Sequence, residues 1–308
     1  MTSSLPIRVK HASTLICLRP PPPSKPTTLH LSSLLSGPNT WSDDPVSHLF
    51  GTSETRSIKN NWSLLMGQNV CQNYLRSSSN LITTMRYPAE YKFPVGTLNS
   101  SETNSNAAKR EFEEEFLTSI PNNCRLRLFK VSQTRPIKGV SYIMSNYVCL
   151  ESENPWLSCL KSSDINKRLR LKRSRFDSKG DDFYRLDDEE KESLSPEVEQ
   201  VNWLQISEAI SYAFTSMNSK PTFINPYQES EFKRLNIKKR DPMFVNLTIL
   251  TALERFKNEN ELIEHCKGLR WEEEVERVRW LDDGMEIEDV ERVLMERGVL
   301  RDKSELKT

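Results

Sequence analysis

The residues best placed to do chemistry lie between Gly96 and Thr118, in the stretch GTLNSSETNSNAAKREFEEEFLT. Four glutamates fall within five positions there, Glu111, Glu113, Glu114 and Glu115, directly after Arg110. On a helix, residues three and four apart share a side, so Glu111, Glu114 and Glu115 gather on one side of the cylinder. Like charges at that spacing repel, and acids near a helix C-terminus also oppose the macrodipole. Ala107, Ala108 and Phe112 give the same helix a small packing face, so it lies against a sheet. A packed helix that collects repelling carboxylates is relieved by a divalent cation, and hard oxygen ligands favour Mg2+ or Mn2+.

The run EFEEE taken alone is more simply a solvated helix face. The spacing upstream changes that balance. Gly96 is followed after five residues by Glu102, and after seven more by Arg110-Glu111, an aromatic, any residue, and Glu114-Glu115. Six fixed identities at that spacing have a chance frequency on the order of one in ten million per window.

This pattern resembles the box of the Nudix hydrolase family, G-x5-E-x7-R-E-U-x-E-E-x-G-U, where U is a bulky apolar residue. Gly96, Glu102, Arg110, Glu111, Phe112, Glu114 and Glu115 match it in register, and Phe93-Pro94-Val95 resembles the family's F-P-G. Leu117 stands where the final glycine is expected and Thr118 where an aliphatic is. That glycine usually takes the turn after the helix, so the departure bears on the turn.

The resemblance implies that Glu111, Glu114 and Glu115, with the Gly96 carbonyl, bind the metal. It implies further that Arg110 pairs with a neighbouring glutamate, and that Glu102 orients the arrangement or reaches metal through water. Water would attack a diphosphate linked to another moiety, with a box glutamate such as Glu115, or Glu197 of EVEQVNW, as general base. Glu199 is next in line, and for Glu197 a solvated acid at a strand edge stands as the alternative. Ser132 and Gln133 occupy the place where the ADP-ribose branch tends to carry proline. Trp156, Trp203 and Tyr142 could stack a base or be ordinary core.

The elements that must position these residues can be traced along the chain. His11–Leu18 is a short apolar run stopped by prolines at 20–23, a first strand. Residues 20–80, rich in Pro, Ser, Thr and Asn, read as a long insertion. Asn104 or Ser105 is placed to cap the glutamate helix. Cys124–Val131 alternates apolar and basic residues, and with Gly139–Leu150 it predicts a hairpin. Seven Lys and Arg between 161 and 175, then eight acids up to Glu192, predict a solvated excursion whose charges neutralise each other. Pro196–Ile206 reads as a strand, 207–214 as a helix capped by Ser207, and Phe244–Phe256 as a helix. Beyond 258 the chain is charged with helical spacing, Ile287, Val290 and Leu294 on one side and Gly298 at its stop. The expected fold class is α/β: a Nudix-like α/β/α sandwich with a mixed sheet over 8–257, insertions at about 20–80 and 151–195, and a helical C-terminal extension at 258–308.

Whole-chain properties narrow the function. Forty-three basic and forty-three acidic residues leave no net charge, which argues against a coat for nucleic acid or an anionic membrane. No run of eighteen apolar residues supplies a membrane span. The six cysteines form no C-x-x-C pair and no zinc spacing, so reduced thiols in a cytoplasmic setting are expected. Residues 1–42 contain no acid and many Ser and Thr, the composition of a mitochondrial transit segment, which stands as the alternative localisation. The leading expectation is a Nudix-type pyrophosphohydrolase acting on a nucleotide-type small molecule. Two others compete: a decapping hydrolase that holds RNA on the 161–175 strip, and a silent Nudix-like binding module.

Overall fold

The computed structural model describes residues 8–20, 62–77, 81–85, 87–134, 140–210, 212, 226–237, 244–256 and 258–279. Its centre is a mixed sheet of seven strands: β1 (Arg8–Arg19), β2 (Ser63–Asn69), β3 (Tyr91–Lys92), β4 (Val95–Thr97), β5 (Arg127–Gln133), β6 (Val140–Leu150) and β7 (Val198–Gln205). The main path runs β3-β2-β1-β6-β5, with β4 added on β1 and β7 on β2. β1 runs parallel to β6 over eleven residue pairs, from Arg8↔Val140 to Leu18↔Leu150. The other pairings are antiparallel, including the β5–β6 hairpin expected from alternation.

Each face of the sheet has its own core, as the period of two requires. Ile16, Leu18, Leu64, Met66, Phe129, Val148 and Leu204 point to one side. There they meet α6 (Phe244–Leu253) and α7 (Glu259–Lys267) through Leu247, Leu250, Leu253 and Leu262. Leu15, Cys17, Leu65, Cys149, Val198 and Val201 point to the other side, against α1 (Asn104–Phe116), α2 (Trp156–Cys159) and α3 (Ser162–Lys179). The α/β class with helices on both faces is therefore as expected. The remaining helices are α4 (Asp188–Leu194), α5 (Pro226–Arg234) and α8 (Trp271–Arg279). Among the described residues no helix is long and apolar enough to cross a membrane, and all six cysteines are free thiols.

Four expectations need correction. The stretch 20–80 contains β2, a strand of the central sheet and buried over most of its length. Buried on both faces, it shows no alternation that would mark it as a strand. The excursion at 161–192 is ordered: α3 docks on β7, and Ile165, Leu169 and Phe183 are fully buried. Asn166 of α3 locks the contact, accepting from Val201 N at 2.7 Å and donating to Val201 O at 2.9 Å. The cap of α1 is Thr103, one residue earlier than expected, whose hydroxyl accepts from Asn106 N at 3.3 Å. The helix after β7 already includes Ile206, and Gln205 N donates to Glu208 Oε2 at 2.8 Å.

Residues 21–61, residues 135–139 and the C-terminal stretch with Ile287, Val290, Leu294 and Gly298 lie outside the described residues, as do residues 1–7. Helices α7 and α8 pack on β5, where His265 bonds the Phe129 carbonyl at 3.1 Å, and Trp271 of α8 reaches on to Ser145 of β6 at 2.8 Å.

Candidate active site

Helix α1 lies across β1 and buries Ala107, Ala108, Phe112 and Phe116, which the alanines permit by letting the helix come close. Its next residue, Leu117, has φ 50° and ψ 43°, the left-handed conformation a glycine would adopt for free. The turn is thus kept without the glycine, at a steric cost of about 1–2 kcal/mol for a residue with a Cβ. Leu117 recovers part of that by packing against the core beneath α1.

Arg110 is the hub of the exposed side of α1. Its Nε donates to Glu102 Oε1 at 3.0 Å and its Nη2 to Glu102 Oε2 at 3.1 Å, a two-pronged pair. Its Nη1 donates to Glu111 Oε1 at 2.6 Å and to Glu114 Oε2 at 3.0 Å. A further bond, 2.8 Å from Nη2 to the Thr97 carbonyl, ties the guanidinium to β4. Glu102 is fixed from its other side by the Asn99 N–H at 3.0 Å. The Arg110 hydrogen bonds hold the Glu102 carboxyl below its usual range, and Glu102 foremost makes the guanidinium harder to deprotonate.

Gly96 of β4 faces Glu111 at very close range. A Cβ on residue 96 would fall 1.9 Å from Glu111 Oε1 and 2.0 Å from Cδ, so the carboxylate occupies the space that any side chain would fill. Burial raises the pKa of Glu111 against the opposing pull of Arg110.

Glu115 turns the other way, into the protein. Its side chain is 3% exposed, and Lys92 Nζ of β3, itself 8% exposed, sits 2.9 Å from Oε2. Val95 N donates to Oε1 at 3.3 Å. Oε2 is buried without an aligned hydrogen bond, so its contact with Lys92 is an ion pair only. Burial, with Glu197 adding to it, raises Glu115 to about 7 despite Lys92. Burial would push the Lys92 ammonium down, but Glu115, Glu197 and Glu111 turn the balance upward. Glu115 holds its proton more tightly chiefly because it is buried, Lys92 because the surrounding acids outweigh its burial.

Glu197, just before β7, is near enough to Lys92, Glu111 and Glu115 to act on each of them electrostatically. Lys172 of α3 is near as well, feeling Glu197, Glu114 and Glu115, although burial lowers its pKa. Glu199 is turned away, 3.8 Å from Arg173. Five carboxylates (Glu102, Glu111, Glu114, Glu115, Glu197) thus meet three cations (Arg110, Lys92, Lys172), which leaves two negative charges when all are ionised.

Glu111 and Glu114 converge on one nitrogen of Arg110, whereas Glu115 is held apart by Lys92. Among the described residues no three acidic, histidine or cysteine side chains close on a single metal-sized point. The donor set nonetheless suits a hard divalent ion: carboxylate oxygens, two negative charges in excess when all are ionised, and a buried carboxylate oxygen whose one close partner is the Lys92 ammonium.

No known family profile matches the sequence, and no curated protein matches it. Solved structures do resemble it. A MutT/nudix family protein from Listeria innocua is 11% identical, with 66% of this chain and 82% of that one covered and a TM-score of 0.29. A NUDIX hydrolase from Nitrosomonas europaea is also 11% identical, over 77% and 95%, at 0.29. An Ap4A hydrolase from C. elegans is 12% identical, over 74% and 98%, at 0.28.

Lys92 and Lys172 are the site residues that sequence patterning misses. Lys92 sits in a two-residue strand too short for any periodicity, and Lys172 is masked by its six basic neighbours. Two of the aromatic candidates, Trp203 and Trp156, make packing contacts. Trp203 carries Arg19 3.7 Å above its ring and donates to the Leu160 carbonyl at 3.2 Å, while Trp156 packs edge-on to Phe112. Tyr142 sits on β6, where its N–H donates to Thr134 Oγ1 at 2.9 Å.

Proposed function

We propose that the chain is a divalent-metal-dependent hydrolase of the Nudix type that cleaves a diphosphate linkage in a nucleoside diphosphate derivative. The observation that carries this is the Arg110 clamp: one guanidinium holds Glu102, Glu111 and Glu114 around the backbone of Gly96. A merely solvated glutamate face has no need of a glycine under one carboxylate or of an arginine spanning three.

Glu111, Glu114 and Glu115, with the Gly96 carbonyl, would hold Mg2+ or Mn2+, which offsets phosphoryl charge and acidifies the attacking water. Arg110 keeps Glu111 and Glu114 together and fixes Glu102 as the anchor of the loop before α1. Lys92 neutralises Glu115 enough to keep it buried, so the carboxylate need not swing out to water. Glu197 lies near the centre, on a different element, and accepts the proton of the attacking water. The new bond joins that water oxygen to phosphorus, the anhydride P–O bond breaks, and the leaving phosphate takes the electron pair.

Purified protein with Mn2+ should release nucleoside monophosphate from at least one member of a panel of nucleoside diphosphate derivatives. Glu114→Gln and Glu115→Gln should each lower turnover more than a hundredfold while melting cooperatively. Near-normal turnover in both would refute the proposal.

One observation favours a second reading, a binding module without catalysis: Arg110 and Lys92 already neutralise much of the carboxylate charge. Calorimetric titration with Mn2+ separates the two. No heat, together with no turnover of any diphosphate, selects the binding module.

A further inference from the structure

Helix α3 fills its docking face with Ile165 and Leu169 and leaves a charged flank beside the carboxylate centre. Arg168, Lys172, Arg175 and Lys179 follow each other at steps of four, three and four residues, which places all four on one flank. The row is about 16 Å long at 1.5 Å per residue. Two contacts fix where it starts. Arg168 Nη2 donates to Thr118 Oγ1 at 2.5 Å, immediately beyond the end of α1, and its Nε is buried without a partner. Lys172, one turn on, faces Glu197, Glu114 and Glu115, with Glu192 of α4 as a further neighbouring acid.

Arg168 and Lys172 are partly engaged at the near end of this row, but its far end is not spent on the protein. Among the described residues Lys172, Arg175 and Lys179 have no acidic partner within ion-pair distance. Arg173, on the docking side of the same helix, is by contrast paired with Asp177 at 3.2 Å and Glu199 at 3.8 Å. The helix cannot swivel to hide its cations, because Asn166 is bonded both ways to Val201 of β7. A fixed line of unpaired cations running out from an acidic centre is a template for a linear anion that begins at that centre.

We propose that Arg168, Lys172, Arg175 and Lys179 form a track for a chain of phosphates, so that the preferred substrate class is an oligophosphate ester with three or more phosphates. For catalysis this rests on the hydrolase reading above; for binding it stands on α3 alone. A diphosphate, two phosphorus atoms joined through one oxygen, meets only the first rungs of the row. A longer chain is needed to reach Arg175 and Lys179 from the carboxylates. A bare phosphate chain fits better than single-stranded RNA, which is bound by basic grooves that also offer aromatic rings for base stacking. The one aromatic side chain of α3, Phe176, is stacked against Tyr74 at 4.4 Å and Phe183 at 4.7 Å.

The binding test uses calorimetry on the full chain in chelator, where no metal contributes and no turnover occurs. Inorganic tripolyphosphate should bind at least tenfold more tightly than pyrophosphate, with an affinity that falls steeply with salt. Arg175→Glu with Lys179→Glu, at two exposed positions, should remove that preference without moving the melting temperature by more than a few degrees. Equal affinities for the two anions overturn the proposal. So does a preference that survives the double variant, or tighter binding of a fluorescein-labelled oligouridine than of tripolyphosphate. With Mn2+ added, kcat/KM should be higher for a nucleoside tetraphosphate than for the matching diphosphate, and the double variant should erase that ratio. Chain-length-dependent binding without any hydrolysis keeps the track and removes the hydrolase reading. Hydrolysis with no dependence on chain length does the reverse.

Discussion

Gly96→Ala separates the geometry of the carboxylate centre from the stability of the fold. The new Cβ would lie 1.9, 2.0 and 2.3 Å from Glu111 Oε1, Cδ and Oε2. Against a normal contact near 3.5 Å, the carboxylate must retreat by about 1.5 Å. The obstacle is the end of a flexible side chain, so Glu111 moves and the backbone does not. Gly96 is not among the described glycines with positive φ, so alanine is allowed there and gains about 0.4–1 kcal/mol by restricting the unfolded chain. Against that gain stands the 2.6 Å bond from Arg110 to Glu111, worth about 1.5–3 kcal/mol as a charged hydrogen bond. Relief of Glu111 burial offsets part of its loss. The net destabilisation is about 1 kcal/mol, a shift of a few degrees in Tm. Mn2+-dependent turnover should nevertheless fall at least a hundredfold, about 2.7 kcal/mol of transition-state stabilisation. Glu111→Ala should match that loss, and the double variant should be no worse than Glu111→Ala alone. Gly67→Ala is the control. Its Cβ meets the Phe116 ring at 2.7 Å inside the core, so it should cost about 1–3 kcal/mol of stability with the site chemistry intact. Full turnover by Gly96→Ala, or a double variant whose losses simply add, would refute the assigned contact.

Leu117 tests the turn after α1. Leu117→Gly should leave the melting temperature nearly unchanged, because about 1 kcal/mol of left-handed strain is released as the leucine contacts are lost. Leu117→Val should cost about 2 kcal/mol, since a β-branched residue tolerates that conformation worst. Glu153 tests an ion pair distant from the site. Arg127 grips it with two nitrogens, one at 2.6 Å, and Arg125 approaches at 3.3 Å. Arg127 first of all holds the Glu153 carboxyl below its usual range. A depressed carboxylate stabilises the fold above the unfolded pKa near 4.3 and loses that contribution as pH falls through the lower, folded value. Glu153→Gln should therefore cost about 1–2 kcal/mol at pH 7 and progressively less as pH falls below the unfolded value, read from urea melts at each pH. A gap of constant size across that range would contradict the assignment.

Legibility followed the physics of burial. β1 and the β5–β6 hairpin could be read from the sequence because short apolar or alternating runs end at prolines, asparagines and a glycine. β2 could not, since a strand covered on both faces offers only Leu64, Leu65 and Met66 in a row among polar neighbours. α3 was hidden by its own composition. Its docking residues Ile165 and Leu169 and the half-buried Phe176 are outnumbered by cations, and hydropathy averages erase a narrow apolar stripe.

The glutamate pattern locates the candidate site and names Arg110 as a partner, but not the cations that other elements bring to it. Read along one helix, four glutamates in five positions are mutual repulsion. Folded, Glu113 turns to the Ile120 N–H, and the other three meet one cation from each of three elements: Arg110 from α1, Lys92 from β3 and Lys172 from α3. Arg110 could be expected from the motif, but Lys92 and Lys172 cannot be assigned from spacing, because only the sheet order brings β3 and α3 to the end of α1. The division of labour follows from exposure. Glu115, sealed in the core, takes the permanent partner Lys92, whereas Glu114, 57% exposed, shares Arg110 with two other acids. A buried carboxylate without a fixed counter-ion would take up a proton instead of keeping its charge, while an exposed one is kept ionised by water. Lys92 is therefore what holds Glu115 in the core beside the other carboxylates, and Arg110 is what keeps Glu111 and Glu114 apart by no more than the reach of one guanidinium nitrogen.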